Sequence, residues 1–339
     1  MDSEDDLLDL AASAPAPHPR GLDDDETFAQ RVDASTWASD PAGAAVAFAG
    51  FIARRQPVVL TGCIAWPALR TWTHEYLKKT LGDRPVFCAL TPDGLGDAVT
   101  TAADGTVCFV KPYEARIPFS CFVDAIESPL RTPDGVPRRA VHYVSHQNDS
   151  LSSEYEALWA DVELALPWAD AAFGRPPAAT NFWMGEDAAR TTVHADLFDN
   201  VYCVVSGRKE FHLLPPQEGH MLRRQRYPSA TYAPDASSDT LVLEFDEPAV
   251  ETLWSPVHLD HGSSGPLRPV RASVGPGEVL FLPALWWHAV GQRGGEGCAP
   301  STVAVNYWYE GPTALGEEVE AAAERAAERI LEQVKGIKL

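Results

Sequence analysis

The sequence has no run of about 18 apolar residues and no basic segment at its start, so we expect neither a membrane span nor a secretory signal. Its 6 cysteines are scattered, and no two of them form a CxxC pair. Zinc-finger modules and disulfide frameworks are therefore disfavoured. We expect reduced cysteines in a protein of the cytoplasm, with the nucleus as a second compartment.

Basic residues are also few, because 27 lysines and arginines stand against 48 acids and give a formal net charge of −21. Such a chain repels phosphate backbones, so nucleic-acid binding is disfavoured and a basic protein partner is weakly favoured. Hydrophobic residues make up 45% of the 339 positions, which suffices for one large domain. Acids mixed with alanine, proline and serine predict a disordered leader over residues 1–35.

The main domain is predicted to span residues 36–315, in two parts. The part up to about residue 139 is mainly helical in pattern, whereas short β-branched and aromatic runs over 140–312 predict an antiparallel sandwich or jelly roll. Helices are predicted over 40–55, 66–82, 119–127 and 152–166, a hairpin turn over 205–208 and a loop-like insert over 216–275. The fold class is therefore mainly β with flanking helices.

The tail over residues 316–339 is patterned as an amphipathic helix, with Val319, Ile330 and Val334 near one side. This apolar stripe has two interpretations that the sequence leaves equally open. It forms the contact of a homodimer, or it packs on the chain's own domain.

Two residues with metal-binding side chains stand two apart in the segment TTVHADLFDN, namely His194 and Asp196. Strand alternation is expected to put both on one face of a strand. His288, expected at the end of the strand in GPGEVLFLPALWWH, is the candidate third ligand. Two histidines and one carboxylate leave three positions open on iron(II), where a chelating co-substrate and dioxygen bind together.

The sequence contains a second group of metal-binding residue types, HLDH at 258–261. It stands in the predicted insert, between Pro256 and a run of glycines and serines. A flexible loop does not preorganise an open metal site, so we interpret this group as surface loop.

Lys209 follows His194 in the next predicted strand and shares its parity with Phe211 and Leu213, so it is expected to point into the apolar interior. A buried ammonium group is costly without a carboxylate, and a dicarboxylate co-substrate would supply one. The alternative is a solvated lysine at the strand end. Hydroxyl and amide groups that also offer hydrogen bonds to a co-substrate, or serve the fold, belong to Tyr143, Thr191, Asn200 and Asn306.

These motifs occur together in the JmjC, or cupin-8, oxygenases, which the chain resembles over about residues 40–315. The branch it most resembles is that of the small JmjC-only lysyl hydroxylases. The motifs that carry the resemblance are QPVVLTGCIAWPALRTW from Gln56, TPDG from Thr91, YVSHQ from Tyr143, NFWMGE from Asn181, NVYCVVSGRKEFHLLPP from Asn200 and LPALWWH from Leu282. The chain departs from the family at Gln56, where an arginine is usual, and at Phe198, where a tyrosine is usual.

The resemblance implies a double-stranded β-helix that uses Fe(II), 2-oxoglutarate and dioxygen. It implies His194, Asp196 and His288 as iron ligands, Lys209, Thr191 and Tyr143 as partners of the 2-oxoglutarate C5-carboxylate, and Asn200 and Asn306 as polar contacts near the co-substrate. It also implies hydroxylation of a lysine at carbon three in a developmentally regulated GTP-binding protein. A peptidase activity on methylated histone tails is attributed to the same branch.

Three other functions remain open on the sequence. A JmjC histone-lysine demethylase would use the same triad, but the chain has no cysteine- and histidine-rich zinc module. A metal-dependent peptidase would normally carry HExxH, which is absent. A binding scaffold has no reason to bury Lys209.

The candidate anchors for the ammonium group of a substrate are Asp199, Glu186 and Asp246. The tryptophans expected to line the cavity or to form ordinary core are Trp183, Trp286, Trp287 and Trp308.

Overall fold

The computed structural model describes residues 27–129, 140–235, 237–238, 240–259, 267–295 and 301–311. The predicted C-terminal helix over 316–339 lies outside these residues, as does the leader before residue 27.

The α-helices of the described chain end at Phe173 and are interspersed with strands, and the part after them consists mainly of consecutive strands. The helices are α1 (Pro41–Arg54), α2 (Ala68–Thr71), α3 (His74–Leu81), α4 (Phe119–Glu127), α5 (Ser150–Ser153) and α6 (Pro167–Phe173), with 3₁₀ helices over Glu156–Asp161 and Pro216–Leu222. The strands are β1 (Thr27–Phe28), β2 (Gln30–Asp33), β3 (Val58–Thr61), β4 (Pro85–Thr91), β5 (Leu95–Gly96), β6 (Ala98–Thr101), β7 (Val107–Lys111), β8 (Tyr113–Pro118), β9 (Val141–Val144), β10 (Ala179–Glu186), β11 (Arg190–His194), β12 (Phe198–Ser206), β13 (Arg208–Leu214), β14 (Gln225–Pro234), β15 (Leu241–Phe245), β16 (Glu251–Trp254), β17 (Val270–Val274), β18 (Glu278–Leu282), β19 (Trp287–Arg293) and β20 (Ser301–Glu310).

In the described part of the chain, these strands form two large sheets and a smaller one. The major sheet has the order β2-β3-β18-β12-β20-β10-β9-β4-β8, and the minor sheet has the order β1-β17-β13-β19-β11-β5. The insert sheet has the order β15-β14-β7-β6, and β16 pairs with β14. From β10 to β13 and again from β17 to β20, successive strands alternate between the two large sheets. This alternation produces the expected cupin-type jelly roll.

The two large sheets face each other across an apolar core. The side chains that form this core are Val59, Trp183, Tyr202, Leu280 and Ala304 from the major sheet and Phe211, Leu213, Val270 and Ala272 from the minor sheet. Because inward-facing residues alternate along β13, the parity that Lys209 shares with Phe211 and Leu213 directs its side chain into the space between the sheets.

The opposite face of the major sheet is covered by helices. Phe48 of α1 contacts Trp168 of α6 and Phe281 of β18 edge-to-face, with ring centroids 4.8 and 5.1 Å apart. Both faces of the major sheet are therefore buried. That explains why the interior of β12, from Asp199 to Val205, is continuously buried instead of alternating.

The predicted helix over 40–55 is confirmed, since α1 begins after Asp40, whose side chain accepts a hydrogen bond from Gly43 N. The helix predicted over 66–82 is instead two helices. Thr73 is extended and caps α3 through Tyr76 N, at 3.1 Å.

The helix predicted over 152–166 is wrong. α5 ends at Ser153, a 3₁₀ helix follows, and Pro167 begins α6. Proline disfavours a helical residue before it, and Leu166 is accordingly extended. The part before residue 139 is also less helical than predicted, because β3 to β8 lie within it.

The loop-like insert predicted over 216–275 is wrong as well, because β14 to β17 lie there. β15 is half-exposed, and β14 carries an internal proline, Pro228, so neither strand shows a clear hydrophobic alternation. The predicted disorder of residues 1–35 is wrong for residues 27–33, since β1 pairs with β17 and β2 pairs with β3.

The hairpin predicted over 205–208 is a turn, but it joins two sheets. β12 belongs to the major sheet, and β13 pairs with β17 and β19 in the minor sheet. Gly207 makes this crossing with a positive φ of 70°, and a Cβ there would lie 2.5 Å from the hydroxyl of Thr302. The described residues include no helix with the length and apolar character needed to cross a membrane.

We predict that Phe48→Ala lowers the free energy of unfolding by about 3–5 kcal/mol, because it leaves a cavity between α1, α6 and the major sheet. Val46→Ala, on the same helix but 78% exposed, should change it by less than about 0.5 kcal/mol. Urea unfolding followed by circular dichroism measures both. Equal effects from the two variants would contradict the packing described above.

Candidate active site

The three metal-binding candidates come together at one end of the space between the sheets. His194 ends β11 and lies directly opposite His288, the second residue of β19, so the pairing of these strands brings the imidazoles together. Their ring centroids are 4.2 Å apart. The expectation that His288 ends the preceding strand is wrong, because β18 stops at Leu282 and a short link precedes β19.

Asp196 is not on a strand, as alternation had suggested, but in the link between β11 and β12. Its carboxylate still faces both histidines. The Nε2 atom of His288 lies 3.5 Å from Oδ2 of Asp196, and that of His194 lies 4.0 Å from Oδ1. Among the described residues, this is the one group of histidine, cysteine and acid side chains close enough to hold a metal, with its ligand atoms within 4.8 Å of one another.

Backbone hydrogen bonds set the tautomer of both imidazoles. Nδ1 of His194 lies 2.8 Å from Thr192 O, and Nδ1 of His288 lies 2.9 Å from Trp286 O. Because a carbonyl only accepts, Nδ1 carries the proton and the lone pair of Nε2 is directed at the metal position. Burial, followed by the neighbouring His194, lowers the pKa of His288 to about 4, which keeps its ring neutral and able to ligate.

Lys209 is the most unusual charged group in the core, at 1% exposure. Its Nζ donates to Tyr143 Oη at 3.0 Å and to the side-chain oxygen of Gln292, and no acid of the described chain is paired with it. The ammonium also lies 5.0 Å from the ring centroid of Tyr143 and 5.9 Å from that of Tyr202. Burial lowers the pKa of Lys209 to about 7.

The hydroxyl of Thr191 is buried and has no hydrogen-bond partner among the described residues. Thr191 lies opposite Val290 on β19, as Lys209 lies opposite Gln292 on the same strand. A buried cation without an anion and a buried hydroxyl without a partner are costly in a finished core. One carboxylate reaching this part of the minor sheet would satisfy both, so the residues present fit the far end of a dicarboxylate.

Asn200 and Asn306 form a buried amide pair on adjacent strands of the major sheet. Asn306 Nδ2 donates to Asn200 Oδ1 at 3.1 Å, while Asn306 Oδ1 accepts from Trp183 Nε1 at 2.9 Å. Asn181 Nδ2 also donates to Asn306 Oδ1, at 3.3 Å. Both ends of the Asn306 amide are therefore engaged by the protein, which orients Asn200 and leaves its amide nitrogen to donate elsewhere.

A cavity of about 590 Å³ has a lining residue, Asp97, that is hydrogen-bonded to the strand that ends in His194. Residues from β4, β7, β8 and the segment after β9 line it, together with Asp97 and Thr231. Asp97 is tied to the metal-binding strand, because Thr192 Oγ1 donates to its backbone oxygen. Asp97 is exposed and lines the cavity. Glu114 adds a second carboxylate to the wall, and Lys111 also lines it. Because the Lys111 ammonium is paired with Asp246, which is not among the lining residues, the cavity remains acidic.

The acids proposed from the sequence as ammonium anchors are all engaged elsewhere. Asp199 is paired with Arg55, Glu186 accepts from the backbone of His142, and Asp246 is paired with Lys111. Asp97 and Glu114 were missed by sequence reasoning. The only sequence signal for Asp97 is its nearness to the TPDG motif.

Of the tryptophans proposed to line the site, Trp183 and Trp286 lie in the core between the sheets. Trp287 packs in a separate cluster with Val193 and Leu222, so it does not line this space. Trp308 stacks on Phe198, with centroids 5.4 Å apart. Of the competing group at 258–261, His258 is exposed and Leu259 is buried, and residues 260 and 261 lie outside the described chain.

A family model for a cupin-like domain matches residues 44–314. The chain is 36% identical over 275 residues to the lysine-specific demethylase JMJ32 of Arabidopsis thaliana, with 77% of each chain covered. It is 36% identical over 268 residues to the human bifunctional peptidase and (3S)-lysyl hydroxylase JMJD7, with 77% of this chain and 79% of the relative covered. JmjC domain-containing protein E of Dictyostelium discoideum is 32% identical over 283 residues.

These matches extend over most of the chain and agree with the jelly roll and with the His-Asp-His group inside it. The chain therefore belongs to the cupin-like JmjC family, whose members are 2-oxoglutarate-dependent oxygenases.

Proposed function

We propose that this chain is an Fe(II)- and 2-oxoglutarate-dependent protein hydroxylase that acts on a lysine side chain. In this proposal His194, Asp196 and His288 hold the iron, and Lys209, Tyr143 and Thr191 hold the C5-carboxylate of 2-oxoglutarate. The substrate is a protein with an exposed lysine, and a developmentally regulated GTP-binding protein, modified at carbon three, is the first candidate.

The observation that carries the proposal is a buried cation on the sheet that also carries both candidate histidine ligands. Lys209 has no acidic partner in the described chain, although its ammonium is buried between two sheets. A metal-dependent peptidase or a binding scaffold has no use for that charge. A dicarboxylate co-substrate that ligates the metal at its other end does.

Iron, when bound, supplies the redox chemistry that couples oxidation of the keto acid to oxidation of the substrate. The chain's own contribution is to fix the ligands. The hydrogen bonds donated by Nδ1 of His194 and of His288 orient the two rings so that both Nε2 atoms point at one position. Asp196 supplies a negative charge to the same position. Three protein ligands on one side leave the other side for co-substrate and dioxygen.

The remaining residues bind and exclude water. Lys209 and Tyr143 present two donors to the distal carboxylate, and Thr191 adds a third. Trp183 and Tyr202 close the space around them, since both are buried in the core between the sheets. In such a dry pocket a charge-assisted hydrogen bond is stronger than it is in water.

The acidic cavity is the proposed binding site for the ammonium group of the substrate lysine. Its wall contains Asp97, whose backbone is bonded to the strand that ends in His194. A lysine side chain entering there would bring its ammonium between Asp97 and Glu114 while its methylene groups approach the metal. The net charge of −21 would steer such a basic segment towards the protein.

A second candidate is demethylation of a methyl-lysine, because the Arabidopsis relative is named a lysine-specific demethylase and is as similar to this chain as the human hydroxylase is. The human relative is also named a peptidase. The three reactions share the ligand set, so the product distinguishes them.

His194→Ala and Asp196→Ala should each abolish succinate formation from 2-oxoglutarate, because each removes one of three metal ligands. His258→Ala, in the competing group, should leave it unchanged. Succinate is measured by mass spectrometry on folded, iron-loaded protein. An inactive His258→Ala variant with wild-type stability, or an active His194→Ala variant, would refute the assignment.

Lys209→Met should weaken 2-oxoglutarate binding about tenfold to a hundredfold, because a charge-assisted bond to a carboxylate is worth about 1.5–3 kcal/mol. Calorimetry on the manganese-loaded protein measures this affinity without turnover. Unchanged affinity would exclude Lys209 from the co-substrate site.

The pH dependence of 2-oxoglutarate binding tests whether the charge of Lys209 is responsible for the affinity. With the pKa of Lys209 lowered to about 7, the free protein keeps the proton below that pH and loses it above. The dissociation constant should therefore be flat below about pH 7 and rise by up to roughly tenfold per pH unit above it. In Lys209→Met this rise should be absent.

The reaction is tested on two peptides, one carrying the lysine of a developmentally regulated GTP-binding protein and one carrying trimethyl-lysine from a histone tail. We expect the first to gain one oxygen and the second to lose no methyl group and no peptide bond. The first peptide with its lysine replaced by arginine is the matched control. Demethylation or cleavage of the histone peptide, with no oxygen added to the first, would select the alternative while leaving the metal assignment intact.

A further inference from the structure

Both carboxylate oxygens of the buried Asp199 accept hydrogen bonds. It belongs to β12, its side chain is 1% exposed, and Arg55 meets it with both guanidinium nitrogens. Nη1 lies 2.7 Å from Oδ2, and Nη2 lies 2.7 Å from Oδ1. This two-pronged geometry fixes the two groups in direction as well as in distance.

The same pair holds the link between β18 and β19. Asp199 Oδ1 accepts from the backbone nitrogen of Ala284 at 2.8 Å, and Arg55 Nη2 donates to the Ala284 oxygen at 3.4 Å. Ala284 lies four residues before His288. Its two backbone polar groups are thus bonded to the two members of one buried ion pair.

Three further hydrogen bonds connect Arg55 and this link to the candidate metal ligands. Arg55 O accepts from Trp286 Nε1 at 3.0 Å, and Trp286 O is the acceptor for Nδ1 of His288. The nitrogen of Leu285 donates to Asp196 O at 2.8 Å, and Leu285 adopts a positive φ of 68°, which is unfavourable for a leucine. The link is therefore held in a conformation that it would not adopt by itself.

Arg55 reaches this position because the chain turns sharply after α1. It is the C-cap residue, with a left-handed backbone at φ 50° and ψ 42°, and its N–H is bonded to Ile52 O. Its neighbour Arg54 instead stays on the exposed helix surface, with its guanidinium 4.8 Å above the ring of Phe51.

We propose that Arg55 is a positioning residue of the metal centre, acting through Asp199 and residues 284–286 on His288 and Asp196. The proposal rests on the metal assignment made above. Without the arginine, Asp199 keeps an uncompensated buried charge, and the link loses its contact with the guanidinium. The bond from Ala284 N to Asp199 then joins the link to a carboxylate whose direction is no longer fixed by the two guanidinium nitrogens. The side chains of His288 and Asp196 are then no longer held in the orientation that directs their ligand atoms at one position, although neither residue is itself changed.

The test measures metal binding without turnover. Co(II) is titrated into metal-free wild type, Arg55→Ala, Arg55→Lys and Asp199→Asn, with Arg54→Ala as the matched control. Its visible absorption bands report both the affinity and the geometry of the ligands. Thermal unfolding of the metal-free proteins is recorded in parallel.

Arg55→Ala and Asp199→Asn should weaken Co(II) binding about tenfold to a hundredfold and alter the bands, as loss of groups that orient metal ligands does. Arg55→Lys keeps the charge without the second prong and should be affected less. Arg54→Ala should match wild type. If Arg55→Ala does not fold, Arg55→Lys and Asp199→Asn decide by the same criteria.

A lower unfolding temperature with unchanged Co(II) affinity and bands would overturn the proposal, since the pair would then serve the fold alone. The metal assignment is separately checked by His194→Ala, which must lose Co(II) binding. If His194→Ala binds Co(II) as wild type does, the metal assignment and this proposal fall together.

Discussion

The antiparallel pairing of β11 with β19 is the constraint on which the site depends, because it sets His194 opposite His288. Paired residues of adjacent strands are the closest neighbours that a sheet offers, and the two rings meet at 4.2 Å between centroids. A shift of one residue would turn one imidazole to the other face of the sheet. The jelly roll therefore supplies two candidate ligands through the pairing of β11 with β19, including its irregularity between Thr191 and His194, and only the carboxylate of Asp196 comes from a link between strands.

The burial of Lys209 has an electrostatic cost. Burying Lys209 without an acid destabilises the empty protein, and the lowered pKa of its ammonium records that cost. Tyr143 and Gln292 reduce it by hydrogen bonding but cannot neutralise the charge. The fold tolerates the lysine because the surrounding core is large, and an anion that enters recovers the unsatisfied interaction. The free energy of folding that the ligand-free protein loses by burying Lys209 would be recovered as binding affinity for an anion.

The sequence was informative where the chemistry depends on local spacing. The pair His194 and Asp196 and the inward parity of Lys209 follow from short-range patterns. Partners far apart in sequence could not be predicted, and Asp199 was wrongly offered as a substrate anchor because Arg55 stands 144 positions earlier. The turn at Gly207 was recognised, but a turn does not determine which strands pair. The half-exposed strands of the insert sheet lack the alternation from which strands are predicted.

The residues proposed to hold the metal and the co-substrate stand on different strands from most of those that line the acidic cavity. Both histidines, Thr191 and Lys209 stand on β11, β13 and β19, which are neighbours in the minor sheet. The residues proposed to hold metal and co-substrate thus stand on one continuous hydrogen-bonded surface, apart from Asp196 and Tyr143. The acidic cavity is instead lined from β4, β7, β8 and one residue of β14, which belong to the edge of the major sheet and to the insert sheet. The residues proposed to receive the substrate side chain therefore stand mostly on other strands than the candidate metal ligands, and Asp97, whose backbone oxygen accepts from Thr192 of β11, connects the two groups.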